Sequence, residues 1–363
     1  MLAVIYWFYK SYIYFMKVLK TIFIIIGAVI GAGFASGKEI FEYFAKYGVL
    51  SLLFVLPLFL CIYFFLFNYL KFGESYGNYD LKQSNKFLCK PRKFLKYNYN
   101  PFDVGLFLTF LIHTSAMFSG LIALFSTYLP SGYNWLYFIV SLVVTIVLIK
   151  TSFKSFKLLS LMVVPLIIIC LILNVICSFN SGTFATNFGI TNILPLPILT
   201  VVYASQNTFF SSFIIIKLGR DLTDKQRHLI SLITALILCI LITLGILCFM
   251  FNPKLVYSEM PFAEVAISVN PIFSIIFALI LFGSIITTHA TCLASLKEYF
   301  KGEKKYNNTF LMLVLIILLS LFNFGKIVEY LYPLIGAFGI IYFYKIYTYN
   351  TIKNKIHKFL KLN

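Results

Sequence analysis

Apolar runs of span length recur along the chain, divided by short polar segments. About 20 apolar residues cross a bilayer, so each run predicts a transmembrane helix. Ten spans follow, at roughly 18–46, 48–70, 103–129, 135–150, 156–179, 193–217, 228–251, 271–297, 308–325 and 327–349. The runs are continuous and not alternating, which excludes a β-barrel and sets the fold class as an all-α integral membrane protein. Residues 1–17 are aromatic and apolar but too short to span, and Lys10 divides them. Two readings stand for them: a translation start at Met16, or a helix lying in the membrane interface.

Two of the runs are interrupted. The first contains Gly27-Ala-Val-Ile-Gly-Ala-Gly-Phe-Ala-Ser-Gly-Lys-Glu39. Glycine costs a helix interior about 1 kcal/mol against alanine, so four at membrane depth predict a broken helix or close packing of small residues. The sixth run, Leu194-Pro-Leu-Pro-Ile-Leu-Thr-Val-Val-Tyr-Ala-Ser-Gln-Asn-Thr-Phe-Phe-Ser-Ser-Phe213, places Ser205, Gln206, Asn207 and Thr208 between two apolar halves. These side chains offer the backbone local alternatives to helix, so a second break is expected there. The interrupted spans are the first of each half of five. Five is odd, so the second half is inverted relative to the first, and matched interruptions in inverted halves point to a transport site. The predicted organisation is an N-terminal segment (1–17), a first five-helix repeat (18–179), a second inverted repeat (193–349) and a basic tail (350–363).

Composition fits this pattern: 61% of the 363 residues are hydrophobic and only 12% charged, which no soluble domain shows. The net charge of +18 is dispersed between apolar runs and reads as topology, not as a nucleic-acid surface. Of the 30 basic residues, 26 fall on one set of alternating segments. These include the N-terminal residues, the 71–102 loop and the tail from Lys345. The positive-inside rule then places both termini in the cytoplasm of a bacterial cell, with the loop 71–102 as a solvated linker. The seven cysteines have no metal or CxxC spacing. There is no P-loop, HExxH, GxSxG or pair of intramembrane carboxylates, so no enzyme and no cofactor is expected.

This arrangement resembles the leucine-transporter (LeuT) fold of the amino acid–polyamine–organocation superfamily. The glycine segment 27–39 resembles, more narrowly, the YkvI-type bacterial membrane proteins, often described as amino acid permeases. The resemblance implies a secondary active transporter of an amino acid or similar zwitterionic solute, working by alternating access as a sodium symporter. A half-helix N-terminus suits a carboxylate, which makes Gly31, Ala32, Gly33 and Phe34 the expected substrate-carboxylate site. Tyr203, Ala204, Ser205, Gln206 and Asn207 would meet an amino group, and Phe34, Tyr203 and Phe209 an apolar side chain.

In span 8, Ser284, Thr287 and Thr288 share a helix face. The sodium site implied by the resemblance maps onto the carbonyls of Gly27, Ile30 and Ser284 and the hydroxyls of Thr287 and Thr288. The alternative is that the threonines bond back to their own helix. His113, His289 and Glu39 are the residues for a proton relay if the coupling ion is a proton. Lys38 and Glu42, four residues apart, are expected to pair, and Asn174 to join two helices. A transporter-like receptor of the germinant-sensor type, which binds solute without net flux, is the competing function. A channel is disfavoured, because one chain of ten spans holds no repeated ring of filter residues.

The charge bias generates a test of topology. In intact cells a cysteine at Asn134 should react with an impermeant thiol reagent, and Cys89 should react only after the membrane is opened. Labelling of Cys89 from outside would reverse the orientation.

Overall fold

The computed structural model describes residues 2–77, 81–89, 92–94, 97–130, 132–150, 153–179, 184–188, 190, 192–255, 257–299 and 305–362. The glycine segment breaks the first run into three pieces: α1 (Leu2–Val29), α2 (Ala32–Ala35) and α3 (Lys38–Tyr43). Two 3₁₀ segments, Ala45–Tyr47 and Val49–Phe54, lead into α4 (Val55–Tyr76). A short helix α5 (Leu81–Leu88) and a ribbon of β1 (Arg92–Phe94) and β2 (Tyr97–Tyr99) precede α6 (Pro101–Tyr128). Then come α7 (Asn134–Lys150), α8 (Phe153–Ser178), α9 (Leu196–Phe210), α10 (Ser212–Gly219) and α11 (Asp224–Phe251). The chain continues with α12 (Pro261–Val269), α13 (Pro271–Tyr299), α14 (Lys305–Ser320), α15 (Phe324–Lys326), a π turn at Ile327–Leu331, and α16 (Tyr332–Leu362).

The helix starts follow local chemistry. Asn100 caps α6 by accepting from the Phe102 amide at 2.9 Å, with Pro101 in the first turn, where its missing N–H costs nothing. Thr223 and Gln226 form a reciprocal capping box on α11.

Among the described residues, five segments are long and apolar enough to cross a membrane: 49–76, 101–128, 224–251, 271–297 and 324–353. The bent pair α9–α10 makes a sixth, and 134–150, 162–178 and 310–320 are shorter apolar helices. The molecule is inside-out in the membrane sense. Leu53, Leu56, Ile198, Ile272, Leu279 and Leu321 lie on its surface, while Ser36, Thr114, Ser141, Ser205 and His289 are buried. Hydroxyls in the interior mostly bond to the carbonyl one turn back, as Thr109 does to Gly105 and Thr200 to Leu196.

Two expectations are corrected. The loop 71–102 is not a plain linker: it carries α5 and the short β1–β2 ribbon within an otherwise helical fold. Asn85 and Asn100 tie α5 to its surroundings, with Asn85 donating to Asp103 at 2.6 Å and accepting from Tyr342 at 3.0 Å. Asn100 donates to the carbonyls of Asn85 and Cys89. Asparagines that read as solvent-seeking in sequence serve here as connectors.

The second correction concerns the sixth run, whose helix does not break at 205–208. α9 continues through these residues to Phe210, and the chain turns by 65° at Ser211. Asn207 donates back to the Tyr203 carbonyl at 3.1 Å and Thr208 to Ala204 at 2.7 Å. Their side chains therefore satisfy the helix they were expected to disrupt.

Gly37 fixes the joint between α2 and α3. Its φ of +85° is a left-handed conformation that disfavours a Cβ. A Cβ there would also meet the Phe249 and Phe262 rings at 2.6 and 2.8 Å. Gly37→Ala should therefore destabilise the purified protein by about 2–4 kcal/mol, the sum of left-handed strain and overpacking. Thermal unfolding in detergent would show this, and Gly132→Ala should cost less, because Gly132 shares the positive φ (+109°) but a Cβ there meets nothing within 4 Å, so it carries strain without overpacking.

Candidate functional site

A helix interrupted at membrane depth frees backbone groups, and each costs several kcal/mol unless it finds a partner. At the first break Gly31 is extended (φ −95°, ψ −169°) and its amide turns back to the Val29 carbonyl at 2.9 Å. The Ala28 carbonyl accepts instead from the Ser211 hydroxyl at 3.0 Å. Ser211 is the residue at which α9 ends and α10 begins, so the two breaks are joined directly to one another. The Ser36 carbonyl, at the α2–α3 joint, accepts from the Phe262 amide at the start of α12 at 2.8 Å. Asn174 does join two helices, donating to the Phe262 carbonyl at 3.2 Å.

On one side of the joined breaks lies a cavity of about 220 Å³. Phe23, Gly27 and Ala28 of α1, Ser211 and Lys217 beside it, and Thr287, Thr288 and Thr291 of α13 contribute to its wall. A single water needs about 10–15 Å³ by this measure, so the space accommodates a small solute with water. Lys217 stands over the Phe213 ring at 3.8 Å near the basic end of the cavity. A second cavity of only about 10 Å³ lies between Val29, Phe34, Tyr203 and Asn207.

The residues expected to hold a cation are partly assembled. Gly27, Thr287 and Thr288 line the larger cavity, and Thr288 packs on Gly31, where a Cβ would lie 3.6 Å from its hydroxyl. Ile30 and Ser284 are buried outside that lining. Thr287 donates to the Ser284 carbonyl at 2.9 Å and thus bonds back within its own helix.

The residues expected to hold substrate divide further. Phe34, Tyr203 and Asn207 face the small cavity. Ser205 is turned away toward α16, donating to the Gly336 carbonyl at 2.8 Å. Phe209 points the same way and packs on Phe338 and Tyr342, and Ala204 is fully buried. Gln206 accepts from the Tyr43 hydroxyl. Ala32 and Gly33 head a helix of one turn, and Glu39 occupies the space beside Gly33: a Cβ there would lie 2.0 Å from its Oε1.

The histidines are enclosed. His113 is stacked between Phe210 and Tyr332, with centroids 4.0 and 4.6 Å away, and its Nδ1 lies 2.9 Å from the Thr109 carbonyl. His289 meets the Thr145 hydroxyl at 3.4 Å through Nε2, while its Nδ1 has no partner.

Ion pairs and aromatic edges pack the α3 end of the first run. Glu42 bridges Lys38 at 2.9 Å and Lys46 at 3.0 Å. Phe41 meets Phe188, Phe249 and Tyr257 edge-on at 5.7–6.2 Å. Glu259 sits beside Lys38, and burial pushes its carboxyl up from the ordinary range against the pull of that lysine.

Sequence reasoning missed Ser211, Phe262 and Tyr332. A serine pair directly after Phe209-Phe210 was the available signal for Ser211. Nothing local marks the other two.

Ser211→Ala would leave the Ala28 carbonyl without its partner. A loss of about 1 kcal/mol in stability is expected, read by thermal unfolding in detergent. Ser126→Ala should be neutral, because that exposed hydroxyl bonds only within its own helix.

No family model matches the chain. The chain is a membrane protein, and it is similar to the uncharacterized membrane protein YkvI of Bacillus subtilis (strain 168), at 22% identity over 338 residues that cover 88% of this chain and 92% of that protein.

Proposed function

We propose that the protein is a secondary active transporter of an amino acid or similar small zwitterion, working by alternating access in the bacterial cytoplasmic membrane. In this reading it has ten spans in two inverted repeats of the LeuT architecture, and both termini are cytoplasmic. The observation that carries it is the Ser211–Ala28 bond, which sets two interrupted apolar helices break against break beside a cavity of about 220 Å³. Broken helices at membrane depth are tolerated where they are buried or line such a cavity, and matched pairs of them mark carriers. The Lys217 side of the cavity is then the cytoplasmic side. The Lys38–Glu42–Lys46 bridge and the Phe41 cluster close the outside.

Sodium is the proposed co-transported ion, held by the carbonyls of Gly27, Ile30 and Ser284 and the hydroxyls of Thr287 and Thr288. An all-oxygen set suits a hard cation. The contact between Thr288 and Gly31 ties that set to the first break, so binding of ion and solute would be coupled. The carboxyl beside Gly33 favours a second reading, a proton as the coupling ion.

The test is uptake of labelled amino acids by proteoliposomes with and without a sodium gradient. A sodium gradient should drive accumulation, and sodium should raise solute affinity in the parent. In Thr287→Val/Thr288→Val that sodium effect should vanish, with folding preserved because shape is kept. Solute binding without flux would instead identify a receptor. Affinity that ignores sodium and rises as pH falls would identify the proton.

A further inference from the structure

Glu39 is a buried carboxyl. It lies on α3, is 5% exposed, and its Oε2 has no hydrogen-bond partner. Its other oxygen rests against the Gly33 backbone, in space that any side chain at 33 would need. The Tyr43, Tyr203 and Tyr332 hydroxyls stand within electrostatic reach of it, from α3, α9 and α16. The Tyr203 and Tyr332 hydroxyls have no partner either. Behind them, Cys239 of α11 lies near Tyr203, and Cys292 of α13 and His113 of α6 lie near Tyr332. Lys38 and Glu42, on the same short helix, pair with each other. Among the described residues no cation pairs with Glu39.

We propose that Glu39 is a proton-binding site whose occupancy is linked to closure of the α2–α3 segment over the breaks. Enclosing an ionised carboxylate without a cation costs several kcal/mol, so the closed arrangement holds the neutral acid. The Tyr203 and Tyr332 hydroxyls, within electrostatic reach of the enclosed acid, act on it through their dipoles. The ligand is a proton and not a solute amine, because the carboxyl is enclosed and the small cavity lined by Phe34 and Tyr203, about 10 Å³, holds no more than about one water.

Moving α2–α3 away from α9 and α16 would bring water to the carboxyl, and the proton would leave as hydronium with the carboxylate left behind. The sign follows by linkage. A group that holds its proton more tightly in the closed state favours that state at low pH, and this contribution is lost as pH rises through its titration. The site itself does not depend on the transport reading; its use in coupling does.

Infrared difference spectra of the full chain in lipid nanodiscs, taken between acid and alkaline pH without sodium, test the site. The parent should show a protonated-carboxyl carbonyl band that disappears on alkalinisation. With Glu259→Gln as the common background, because that buried carboxyl is also pushed up, and over the pH range where exposed carboxyls stay ionised, Glu39→Gln should lack the band and Glu42→Gln should keep it. Tyr203→Phe and Tyr332→Phe remove only hydroxyls and should shift the midpoint of the band by about tenfold in proton affinity, one pKa unit. These two variants keep the test decisive should Glu39→Gln fold poorly. Absence of the band in the parent, its persistence in Glu39→Gln, or an unmoved midpoint in both tyrosine variants overturns the proposal. A Glu39 band in a protein that moves no solute leaves the proton site standing and removes the transport reading, whereas solute uptake without the band does the reverse.

Discussion

The Ser211 hydroxyl resting on the Ala28 carbonyl is the contact on which the centre of this molecule depends. Backbone polar groups have no water to fall back on at membrane depth, so a helix can be broken only where something else completes it. Here each break completes the other: α1 ends in a freed carbonyl, and the turn between α9 and α10 presents a hydroxyl to it. A second chain of bonds secures the next joint. The Ser36 carbonyl takes the Phe262 amide, the Phe262 carbonyl takes Asn174, and the Asn174 carbonyl takes the Ser178 hydroxyl, which also receives Asn252 at 2.8 Å. Four segments of the chain are thereby held together by polar contacts in an apolar surrounding, where unmade bonds are costly.

The larger cavity and the packed α3 end follow from this arrangement. The cavity lies beside the joined breaks, walled by α1, by α10 and by Thr287 and Thr288 of α13. Past the first break, α2 and α3 are too short to be stable alone. They are held by α12, by the Lys38–Glu42–Lys46 bridge and by aromatic edges. The half of the first run with the least helix is thus the half fixed most by side chains.

Much of this was legible in the sequence, for identifiable reasons. Glycine has no side-chain bond to offer its helix, so of the two readings of the cluster at 27–37, a break or close packing of small residues, the break is the one the structure shows. Asn207 and Thr208 do have such bonds to offer and used them on Tyr203 and Ala204. A polar cluster therefore pointed to the right helix and to the wrong residues, a few positions before the turn. The pairing of Lys38 with Glu42 followed from helical spacing alone. The part of Glu39 in the cluster could not be read, because Tyr203 and Tyr332 reach it from segments far away in the chain. α5 and α12 escaped notice because short helices in polar loops have no apolar period long enough to detect.

The bond between the Phe262 amide and the Ser36 carbonyl has a mechanical meaning as well. It works as a tie rod between the hinge at Gly37 and a helix that belongs, by sequence, to the stretch between α11 and α13. Any displacement of α2 and α3 must either carry α12 along as one rigid piece or sever that rod. In the proposed alternating-access cycle the travel of the first broken helix would then be metered by a distant loop, and altering the reach of the chain between α11 and α12 would change that travel without touching a residue of the cavity.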